Sequence, residues 1–275
     1  MEIAGKDLDA LKAIELEILD EFLRICKKHR LTYVLAGGTC LGAIRHKGFI
    51  PWDDDIDVSM PRKDFDRLAQ LCKTELDNRY VFQSLDTEPN CGIVFGKIRK
   101  KGTVLSEEYS RHIKMTQGIW IDIFPYDAVP SNEKELRQYL RKVSFLKNLY
   151  IVKCGYGLPS NASSLMRIEY PIAKIASKLI PINRIINRLN KEMRRYQSDK
   201  TSTEVYPFGG AYGPEVEIMP LERLTNTISV EFEGRQCQTF SEYDTYLSNL
   251  YDDYMTLPPV EKRGGAHHVA EFRVL

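Results

Sequence analysis

The sequence contains no long uninterrupted run of apolar residues, which argues against an ordinary membrane-spanning helix, because such a helix needs about 20 of them. It contains no CxxC pair and no Cys/His spacing that suits zinc. Its six cysteines are scattered, so we expect reduced, mostly buried thiols. The N-terminal segment lacks the basic start and the apolar run of a signal peptide. These absences predict a cytoplasmic protein.

The chain of 275 residues also has almost no net charge, +1 at pH 7, and so offers no general attraction for nucleic acid. This balance hides an asymmetry. Residues 134–200 contain fifteen Lys and Arg against four Asp and Glu, a local charge of +11, so the rest of the chain carries −10. The basic block lacks interleaved stacking motifs. We therefore expect no nucleic-acid partner, but a contact between this block and something anionic.

Apolar periodicity predicts a mixed α+β protein. Spacings of three and four predict helices over about 7–29, 39–45, 61–76, 132–152 and 241–254, and a further helical region broken at Pro171 and Pro181. Short apolar or alternating runs predict strands over about 31–36, 55–60, 80–85, 93–98, 104–106, 118–124, 227–233 and 235–240. Thr39 is the predicted cap of the second helix, and Asn132 with Glu135 form a predicted capping box.

Four carboxylates, those of Asp53, Asp54, Asp55 and Asp57, fall within five residues. Ionised carboxylates this close repel by roughly 3–4 kcal/mol per pair at an effective dielectric constant near 20. A cation, a shared proton or full solvation would relieve the repulsion. The polar and apolar alternation from Asp55 to Val58 indicates a half-buried strand with Asp55 and Asp57 on one face, which favours a Mg²⁺ site. An acidic surface turn is the alternative, but it explains the interleaved apolar residues poorly.

One further carboxylate, Asp122, lies inside the apolar strand predicted over 118–124. An unpaired Asp in such a strand is costly to bury, which favours a functional role. The alternative is a buried acid that accepts hydrogen bonds from backbone donors. Asp122 is therefore the second unusual carboxylate of the chain.

Three segments, GGTCLGAIRHKGFIPWDDDIDVSMPRKDF at 37–65, GIWIDIFPYD at 118–127 and YDDYMTLPPVEKR at 251–263, resemble three blocks of the LicD family, in family order. The wider arrangement, a strand, Gly-Gly, a short helix, a DxD strand and a lone Asp, is similar to the nucleotidyltransferase superfamily. The interval from Gly38 to Asp55 is longer than is usual there. LicD enzymes are cytosolic bacterial transferases that move phosphocholine from CDP-choline onto sugars of surface polysaccharides. Fukutin-type phosphoribitol transferases are distant relatives.

The resemblance implies a nucleotidyltransferase-like mixed sheet core flanked by helices, with a basic helical insert and a C-terminal β-hairpin plus helix. Its implied boundaries are 1–130 for the catalytic core, 131–200 for the insert and 201–275 for the part that completes the LicD domain. The insert matches no block of the family. We expect it either to lie on an anionic membrane, where a lipid-linked acceptor would be met, or to pack on its own protein.

The resemblance also implies the roles of individual residues. Asp55, Asp57 and Asp122 are expected to hold Mg²⁺, or Mn²⁺, against the donor pyrophosphate. Asp53 or Asp54 would accept the proton of the attacking hydroxyl, and Asp122 belongs to the catalytic set. The residues expected to bind substrate or phosphate share a basic or aromatic side chain, or a backbone amide, near the motifs: Gly37, Gly38, Thr39, Arg45, His46, Lys47, Trp52, Lys97, Arg99, Lys262 and Arg263.

Several of these residues have a structural alternative. Gly37 and Gly38 could form only a turn, and His46 could simply cap or pack. Lys97 and Arg99 could reach phosphate or face solvent, and the solvent interpretation is slightly favoured. A quaternary ammonium would need an aromatic cage. Its candidates are Trp52, Trp120, Tyr109 and Tyr126.

The leading interpretation is a CDP-choline-dependent phosphocholine transferase that acts on a teichoic acid or lipopolysaccharide precursor. Donors carrying ribitol or glycerol are the alternative within that class. A nucleotidyltransferase that acts on an NTP is a second reaction type. A binding module with a decayed site is a third, which the crowded carboxylates argue against. We expect peripheral membrane contact, if it occurs, through 134–200 at the inner face of the plasma membrane.

Overall fold

The computed structural model describes residues 3–157, 164–264 and 269–274 of the chain. Its helices within these ranges are α1 Lys6–His29, α2 Gly37–His46, α3 Arg62–Glu75, α4 Glu133–Lys153, α5 Ser164–Leu179, α6 Ile182–Met193, α7 Pro214–Glu217, α8 Leu221–Thr225 and α9 Tyr243–Tyr251. Its strands are β1 Val34–Leu35, β2 Asp57–Pro61, β3 Tyr80–Gln83, β4 Gly96–Lys100, β5 Val104–Glu107, β6 Trp120–Val129, β7 Glu204–Tyr206, β8 Met219–Pro220, β9 Thr227–Phe232, β10 Arg235–Phe240 and β11 Val269–Arg273.

The main sheet has the strand order β1-β2-β6-β4-β3, and β7 and β8 extend it from the far end of β6. Strands β2 and β6 are parallel, whereas the other pairs of this sheet are antiparallel. Helices flank the sheet, so the predicted mixed α+β class is confirmed. The parallel pair β2–β6 matters most for function, because it places two parts of the chain separated by about sixty residues side by side.

The first hydrophobic core lies between the sheet, α1 and the C-terminal segment. The apolar face of α1, which includes Leu11, Ile18 and Phe22, is fully buried there. The hairpin of β9 and β10 adds Phe232 and Phe240 to the same core. The C-terminal segment thus completes the core that the N-terminal helix begins, while the boundaries 130 and 200 remain predictions.

A second core lies between α4, α6 and the loop after β7. Tyr139 and Tyr150 of α4 pack there with Ile185 and Leu189 of α6. A buried bidentate ion pair near the first core connects α3 to β6: Arg62 Nε and Nη2 each lie 2.7 Å from a carboxylate oxygen of Asp127. Such paired geometry satisfies both charges where water is excluded.

Three predicted elements need correction, and one strand pairing was not predicted. Helix α2 begins at Gly37 with Ala36 as its N-cap, so Thr39 is not the cap; its hydroxyl accepts the Asp57 N–H instead. Strand β2 begins at Asp57, so Asp55 lies in the preceding loop and not on the strand. Pro171 does not break α5, because an exposed proline removes one amide donor while its neighbours stay helical. Strand β5 pairs with β11, which periodicity had not predicted.

Other predictions are confirmed. The Asn132 side chain accepts the Glu135 N–H at 3.1 Å and caps α4, which is one half of the predicted capping box; the Glu135 carboxylate accepts the Tyr196 hydroxyl. Helix α6 begins just after Pro181, as expected. All six cysteines are free, and only Cys154 is not fully buried. Among the described residues, no helix combines the length and the apolar character that crossing a bilayer requires.

Candidate active site

Three charged side chains form a row across the middle of the sheet. Asp57 of β2 is the register partner of Asp122 of β6, and Asp122 is in turn the register partner of Lys97 of β4. Register partners on adjacent strands point to the same face of a sheet. The row therefore brings two carboxylates and one ammonium group together on one face.

Lys97 and Asp122 form a buried ion pair. The Lys97 Nζ lies 2.8 Å and 3.1 Å from the two Asp122 carboxylate oxygens, and both side chains are less than a tenth exposed. The same ammonium lies 3.9 Å from the Trp120 ring centre. Burial lowers the pKa of Lys97, while the Asp122 charge opposes that shift. The solvent interpretation of Lys97 is therefore wrong, because the side chain is the counterion of Asp122.

Arg99 is also buried, so the solvent interpretation is wrong for it too. Its Nε donates to Gln83 Oε1 at 2.6 Å, its Nη1 donates to the Gly118 carbonyl at 2.7 Å, and its guanidinium stacks on Trp120. These partners are all within the protein. Arg99 thus connects neighbouring segments of the sheet and does not point toward a bound ligand.

Asp57 stands next to a group of like charges. Burial raises its pKa well above the usual value, and the charges of Asp55, Asp122 and Asp53 raise it further, while Lys97 acts against them. Its backbone N–H donates to Thr39 Oγ1 at 2.8 Å, which joins the start of β2 to the first turn of α2. The Thr39 side chain thus anchors Asp57, while the predicted role of the Thr39 backbone N–H toward phosphate stays a prediction.

The loop before β2 gathers the other three carboxylates. One carboxylate oxygen each from Asp53, Asp54 and Asp55 lie within 4.8 Å of one another. Asp54 is buried, whereas Asp53 and Asp55 are partly exposed. Burial, the charges of Asp55 and Asp54 and a hydrogen bond with Asp55 raise the pKa of Asp53 to about 8. Repulsion of this kind is what a bound divalent cation relieves.

Gly37 and Gly38 place the first turn of α2 directly against these acids. Gly37 has φ +51°, and its N–H donates to the Tyr246 hydroxyl at 3.0 Å. A Cβ at Gly38 would lie 2.9 Å from an Asp53 carboxylate oxygen. A Cβ at Gly38 would therefore displace the Asp53 carboxylate, and the positive φ of Gly37 favours glycine there. The predicted phosphate cradle remains a prediction, and it depends on Gly38 and Thr39, because the Gly37 amide already has an acceptor.

Two tyrosines that sequence reasoning missed lie beside the carboxylates. The rings of Tyr212 and Tyr251 pack edge to face with centres 5.9 Å apart, and their hydroxyls are 2.9 Å apart. Burial raises the pKa of both, and the Asp57 charge adds to this rise. Tyr251 lies inside the third sequence block, so its position in that block was the available signal. Tyr212 follows a Gly-Gly pair outside the three blocks, and no sequence signal pointed to it.

The carboxylate of Glu217 holds the loop that carries Tyr212. It accepts the Tyr212 N–H at 3.2 Å and the Gly213 N–H at 2.8 Å. A Cβ at Gly210 would lie 1.9 Å from a Glu217 carboxylate oxygen, so the loop wraps tightly around this acid. Tyr212 is thus positioned by backbone hydrogen bonds while 46% of its surface stays exposed.

Arg45, His46 and Lys47 lie at the end of α2 opposite to Gly37, about 12 Å along the helix axis. Arg45 Nη1 donates to the Tyr254 carbonyl. Burial lowers the pKa of Arg45, and the Arg263 charge lowers it further; burial also lowers the pKa of His46, with Arg45 contributing.

A contact with Trp52 joins this basic group to the acidic loop. The Arg263 guanidinium stacks on the Trp52 ring at 5.0 Å from its centre, and Trp52 immediately precedes Asp53. The structure thus brings Arg45, Arg263 and Trp52 into one neighbourhood. The side chain of Lys262 lies outside the described part of the chain, so its predicted role stays a prediction.

The predicted aromatic cage is only partly available. Trp120 and Tyr126 are buried to 98% and 96%, and the Trp120 ring already carries Lys97 and Arg99. Tyr109 is half exposed. Buried rings cannot meet a ligand, so Tyr212 and Tyr251 are better placed than these two.

Glu15 of α1 is the other residue that the sequence did not single out. It lies inside the apolar face of α1 and is 1% exposed. Burial raises its pKa well above the usual value, and the charges of Asp55, Asp54 and Asp53 add to this rise. An acid among the helix's core positions, between Ile14 and Ile18, was the available signal.

This arrangement defines a class of protein: an α+β fold whose central strands carry clustered carboxylates suited to phosphate chemistry. The family model described as "LicD/FKTN/FKRP, nucleotidyltransferase domain" matches residues 30–150. The lipopolysaccharide cholinephosphotransferase LicD of Haemophilus influenzae is 31% identical over 268 residues, covering 94% of this chain and 95% of the relative. The chain belongs to the LicD family.

Two shorter matches involve rickettsial proteins. The protein RP689 of Rickettsia prowazekii is 36% identical over 70 residues, which are 25% of this chain and 24% of the relative. The protein RT0683 of Rickettsia typhi is 37% identical over 61 residues, which are 22% of this chain and 20% of the relative. These are local similarities, whereas the match to the Haemophilus protein extends over nearly the whole of both chains.

Proposed function

We propose that this chain is a phosphotransferase that moves phosphocholine from CDP-choline to a hydroxyl of a surface glycan precursor and releases CMP. The observation that carries the proposal is the cluster of carboxylates at Asp53–Asp57 beside the exposed face of Tyr212. The near full-length similarity to a cholinephosphotransferase supports the same chemistry. A lipopolysaccharide or teichoic acid precursor, carried on a lipid, is the proposed acceptor.

We propose Mg²⁺, or Mn²⁺, as the cofactor, held by Asp55 and Asp57. The donor set fits, because hard carboxylate oxygens are the ligands these ions prefer and because Asp57 lies among like charges. When bound, such an ion neutralises pyrophosphate oxygens and the departing CMP. The chain's part is to hold these carboxylates against the first turn of α2, through Thr39 and the two glycines.

Asp122 differs from the other acids because Lys97 already contacts both of its oxygens. We therefore propose Asp122 as the group that accepts the proton of the acceptor hydroxyl, rather than as a metal ligand. The hydroxyl oxygen then bonds to the phosphorus nearer choline, the bond from that phosphorus to CMP breaks, and CMP leaves. Asp53 and Asp54 then belong to the acidic loop and take no part in the proton transfer. Lys97 positions Asp122 within the row.

Tyr212 and Tyr251 are proposed to bind the quaternary ammonium of choline. A cation over an aromatic ring is attracted by about 0.5–2 kcal/mol, and nearby carboxylates add to that attraction. Of the residues proposed for the nucleotide half, Arg45, Arg263 and Trp52 lie together at the other end of α2. In this arrangement the donor pyrophosphate lies between the two ends of α2.

The donor is tested by measuring CMP release from CDP-choline, CDP-ribitol and CDP-glycerol with a glycan acceptor and Mg²⁺. We expect CDP-choline to have the highest kcat/KM. Tyr212→Leu should raise KM for CDP-choline by about 3- to 30-fold, and Tyr212→Phe, which keeps the ring, should not. Equal effects of Tyr212→Leu on all three donors would contradict the choline assignment. Pyrophosphate release from CTP alone would replace it with nucleotidyl transfer.

A peripheral contact with an anionic membrane through 134–200 is the second part of the proposal. Helix α5 exposes Ile168, Ile172, Ile175 and Leu179, each at least 66% exposed. Their spacing of four, three and four residues places them on one face. Exposed Lys174 and Lys178 flank that face on one side.

Helix α6 behaves differently, because Ile185, Ile186 and Leu189 are buried in the second core. For α6 the alternative of packing on its own protein is therefore right, and only α5 carries the membrane proposal. Apolar residues beside lysines suit a bilayer that contains anionic lipid. Such a contact would place the enzyme at the cytoplasmic face, where a lipid-linked acceptor is met.

Co-sedimentation with vesicles tests this contact directly. We expect the chain to pellet with vesicles that contain anionic phosphatidylserine at low salt, and much less with neutral phosphatidylcholine vesicles or at high salt. Failure to bind anionic vesicles at low salt would remove the membrane proposal and leave the transferase proposal intact.

A further inference from the structure

Two charged side chains outside the carboxylate cluster hold the loop that carries Tyr212. Glu217 of α7 is 8% exposed, and its carboxylate accepts the N–H groups of Tyr212 and Gly213, at 3.2 Å and 2.8 Å. Lys147 of α4 is partly buried, and its Nζ donates to the Phe208 carbonyl at 2.9 Å. The proposed chemistry uses neither of these charged groups, so both need an explanation.

The loop between β7 and α7 is fixed at its beginning by the second core. Phe208 is 4% exposed, and its ring packs edge to face against Tyr139 of α4 and Tyr206 of β7. The next residue, Gly209, lies so close to Phe95 that an added Cβ would be 2.6 Å from the Phe95 ring. This part of the loop is therefore enclosed by aromatic side chains and has little freedom to move.

The other end of the loop places an exposed ring beside the acids. The Tyr212 hydroxyl lies 2.9 Å from the Tyr251 hydroxyl, and 46% of the Tyr212 surface is exposed. A Cβ added at Gly37 would lie 3.8 Å from the Tyr251 hydroxyl and 3.3 Å from an Asp57 carboxylate oxygen, so the tyrosine pair adjoins the first turn of α2. Since almost half of its surface is exposed, Tyr212 depends on the anchors behind it for a fixed position.

The two anchors carry opposite charges. Burial lowers the pKa of Lys147, and the Glu217 charge acts against that shift. Removing charged groups from water is unfavourable, and apolar residues of similar size often stabilise a fold equally well. Hydrogen bonds have preferred directions, which apolar contacts lack, so charged anchors fix where the Phe208 carbonyl and the Tyr212 amide lie. This contrast favours a role in position over a role in stability.

We propose that Lys147 and Glu217 are positioning residues that hold Tyr212 against Tyr251 and thereby set the preference of the enzyme for the alcohol of its donor. The inference rests on the proposed function, in which the two tyrosines bind the quaternary ammonium of choline. A cation must lie within about 6 Å of a ring centre to be attracted, and a ring already in place loses less freedom on binding. Since Lys147 belongs to α4, the helical region then takes part in donor selection as well as in docking.

A purely structural role is the competing explanation. It predicts that loss of either group lowers the melting temperature and leaves donor preference unchanged at temperatures where the protein is folded. A positioning role predicts a loss of affinity that is larger for CDP-choline than for CDP-glycerol, because only choline presents a cation to the ring. The two explanations therefore differ in a ratio of affinities and not only in stability.

Phosphocholine transfer by the full chain with Mg²⁺ and a glycan acceptor provides the test, with CDP-glycerol added as a competitive inhibitor. Glu217→Ala and Lys147→Met should each raise KM for CDP-choline by about 3- to 10-fold, and should change the inhibition constant of CDP-glycerol by less than about twofold. Glu217→Gln keeps an oxygen that can accept the two N–H groups, so it should have a smaller effect. Glu215→Ala and Lys134→Met alter exposed residues of the same two helices and should match the wild type.

A double variant and thermal unfolding complete the test. Glu217→Ala/Tyr212→Leu should be no worse than Tyr212→Leu alone, because a ring that is absent cannot be misplaced. If its melting curve shows that Glu217→Ala does not fold, Lys147→Met and its double variant with Tyr212→Leu provide the same comparison. Wild-type KM for CDP-choline in the folded variants, or equal effects on both compounds, would overturn the inference and leave the proposed function standing. An unchanged KM in Tyr212→Leu itself would overturn the inference together with the choline assignment.

Discussion

The sheet region and the helical region of this protein distribute charge in opposite ways. In the sheet region, Asp122, Lys97 and Arg99 are buried between strands and apolar side chains, and Asp57 is partly buried beside them. In the helical region of α4–α6, most basic side chains face outward, and α5 exposes four large apolar residues. One region keeps charge inside, and the other keeps apolar surface outside.

Each of these arrangements costs free energy, and each therefore indicates a ligand of a different kind. Buried carboxylates repel one another and lose hydration, so they are retained where a cation or a phosphate group compensates them. Exposed isoleucine and leucine order water around them, so a contiguous stripe indicates a surface that becomes covered. The sheet region is suited to chemistry and the helical region to docking.

The largest effect should come from removing one clustered acid of the sheet region. Asp57→Asn should lower kcat by about 10³-fold, because the several kcal/mol that metal coordination contributes would be lost. It should also lose the thermal shift produced by CDP-choline with Mg²⁺. Asp122→Asn should lose turnover but keep that shift, since we assign it to proton transfer. The exposed Asp7→Asn is the control and should change neither. Retained activity in Asp57→Asn would remove the metal assignment.

Removing the ammonium of the row should affect stability as well as activity. Lys97→Met leaves Asp122 buried without its counterion, so we expect a loss of about 3–5 kcal/mol in the free energy of unfolding and of about 10²-fold in kcat. Urea denaturation and steady-state kinetics measure the two. The double variant Lys97→Met/Asp122→Asn should recover stability but not activity. Wild-type stability in the single variant would show that the ion pair contributes nothing.

The pH dependence of stability should reveal the crowded acids of the sheet region without any substitution. Asp53 has a pKa of about 8 in the folded chain and an ordinary pKa of 3.8 when unfolded. Between these values the folded state binds more protons than the unfolded state, so stability falls as pH rises and the loss is complete above about pH 8. Without metal, the melting temperature should therefore drop between about pH 6 and pH 9 by on the order of 5 °C.

Two comparisons control this pH experiment. Saturating Mg²⁺ should reduce the drop, because the ion replaces the protons on the carboxylates. Asp53→Asn should also flatten the profile, because it removes one of the titrating groups. A metal-free melting temperature that rises toward pH 9 would have the opposite sign and would contradict the crowding of ionised acids in this loop.

The smallest effect on chemistry should come from the helical region. Ile172→Asn/Ile175→Asn should lower the affinity for anionic vesicles by roughly 30-fold, since each of the two side chains removed from a bilayer costs about 1 kcal/mol. Turnover with a water-soluble acceptor should be unchanged. Leu221→Gln, which alters an exposed apolar residue outside α5, is the matched control. Equal vesicle binding by the double variant and the control would assign the contact to another surface.

Local pattern was sufficient for most of the fold. The amphipathic spacing of α1, the N-cap at Asn132 and the hairpin of β9 and β10 were predicted because each depends on residues close in sequence. The start of β2 was placed two residues too early, because Asp55 continues the alternation although the strand begins only at Asp57. The pairing of β5 with β11 had no local signal, since it joins residues more than 150 positions apart.

The site was predictable in identity but not in arrangement. The unusual composition of 53–57 and the isolated Asp122 identified the acids, since crowded or buried charge is rare without a reason. The partnership of Lys97 with Asp122 depends on the register of β4 against β6, and the positions of Tyr212 and Glu15 depend on packing between distant segments. None of these contacts has a period or a spacing that a single sequence displays.

The sequence by itself determined which side chains are expensive to bury and which helices and strands form, because hydrophobic periodicity, capping and charge crowding act over a few residues. Only the tertiary structure decided which acid received a lysine, which faced other acids, and which apolar helix remained uncovered. The physical reason is that counterions, aromatic rings and covering surfaces come from whatever the fold brings within a few ångströms. Asp57 and Asp122 are register partners, yet Lys97 holds Asp122, whereas Asp57 faces other acids and is the one proposed to bind a cation.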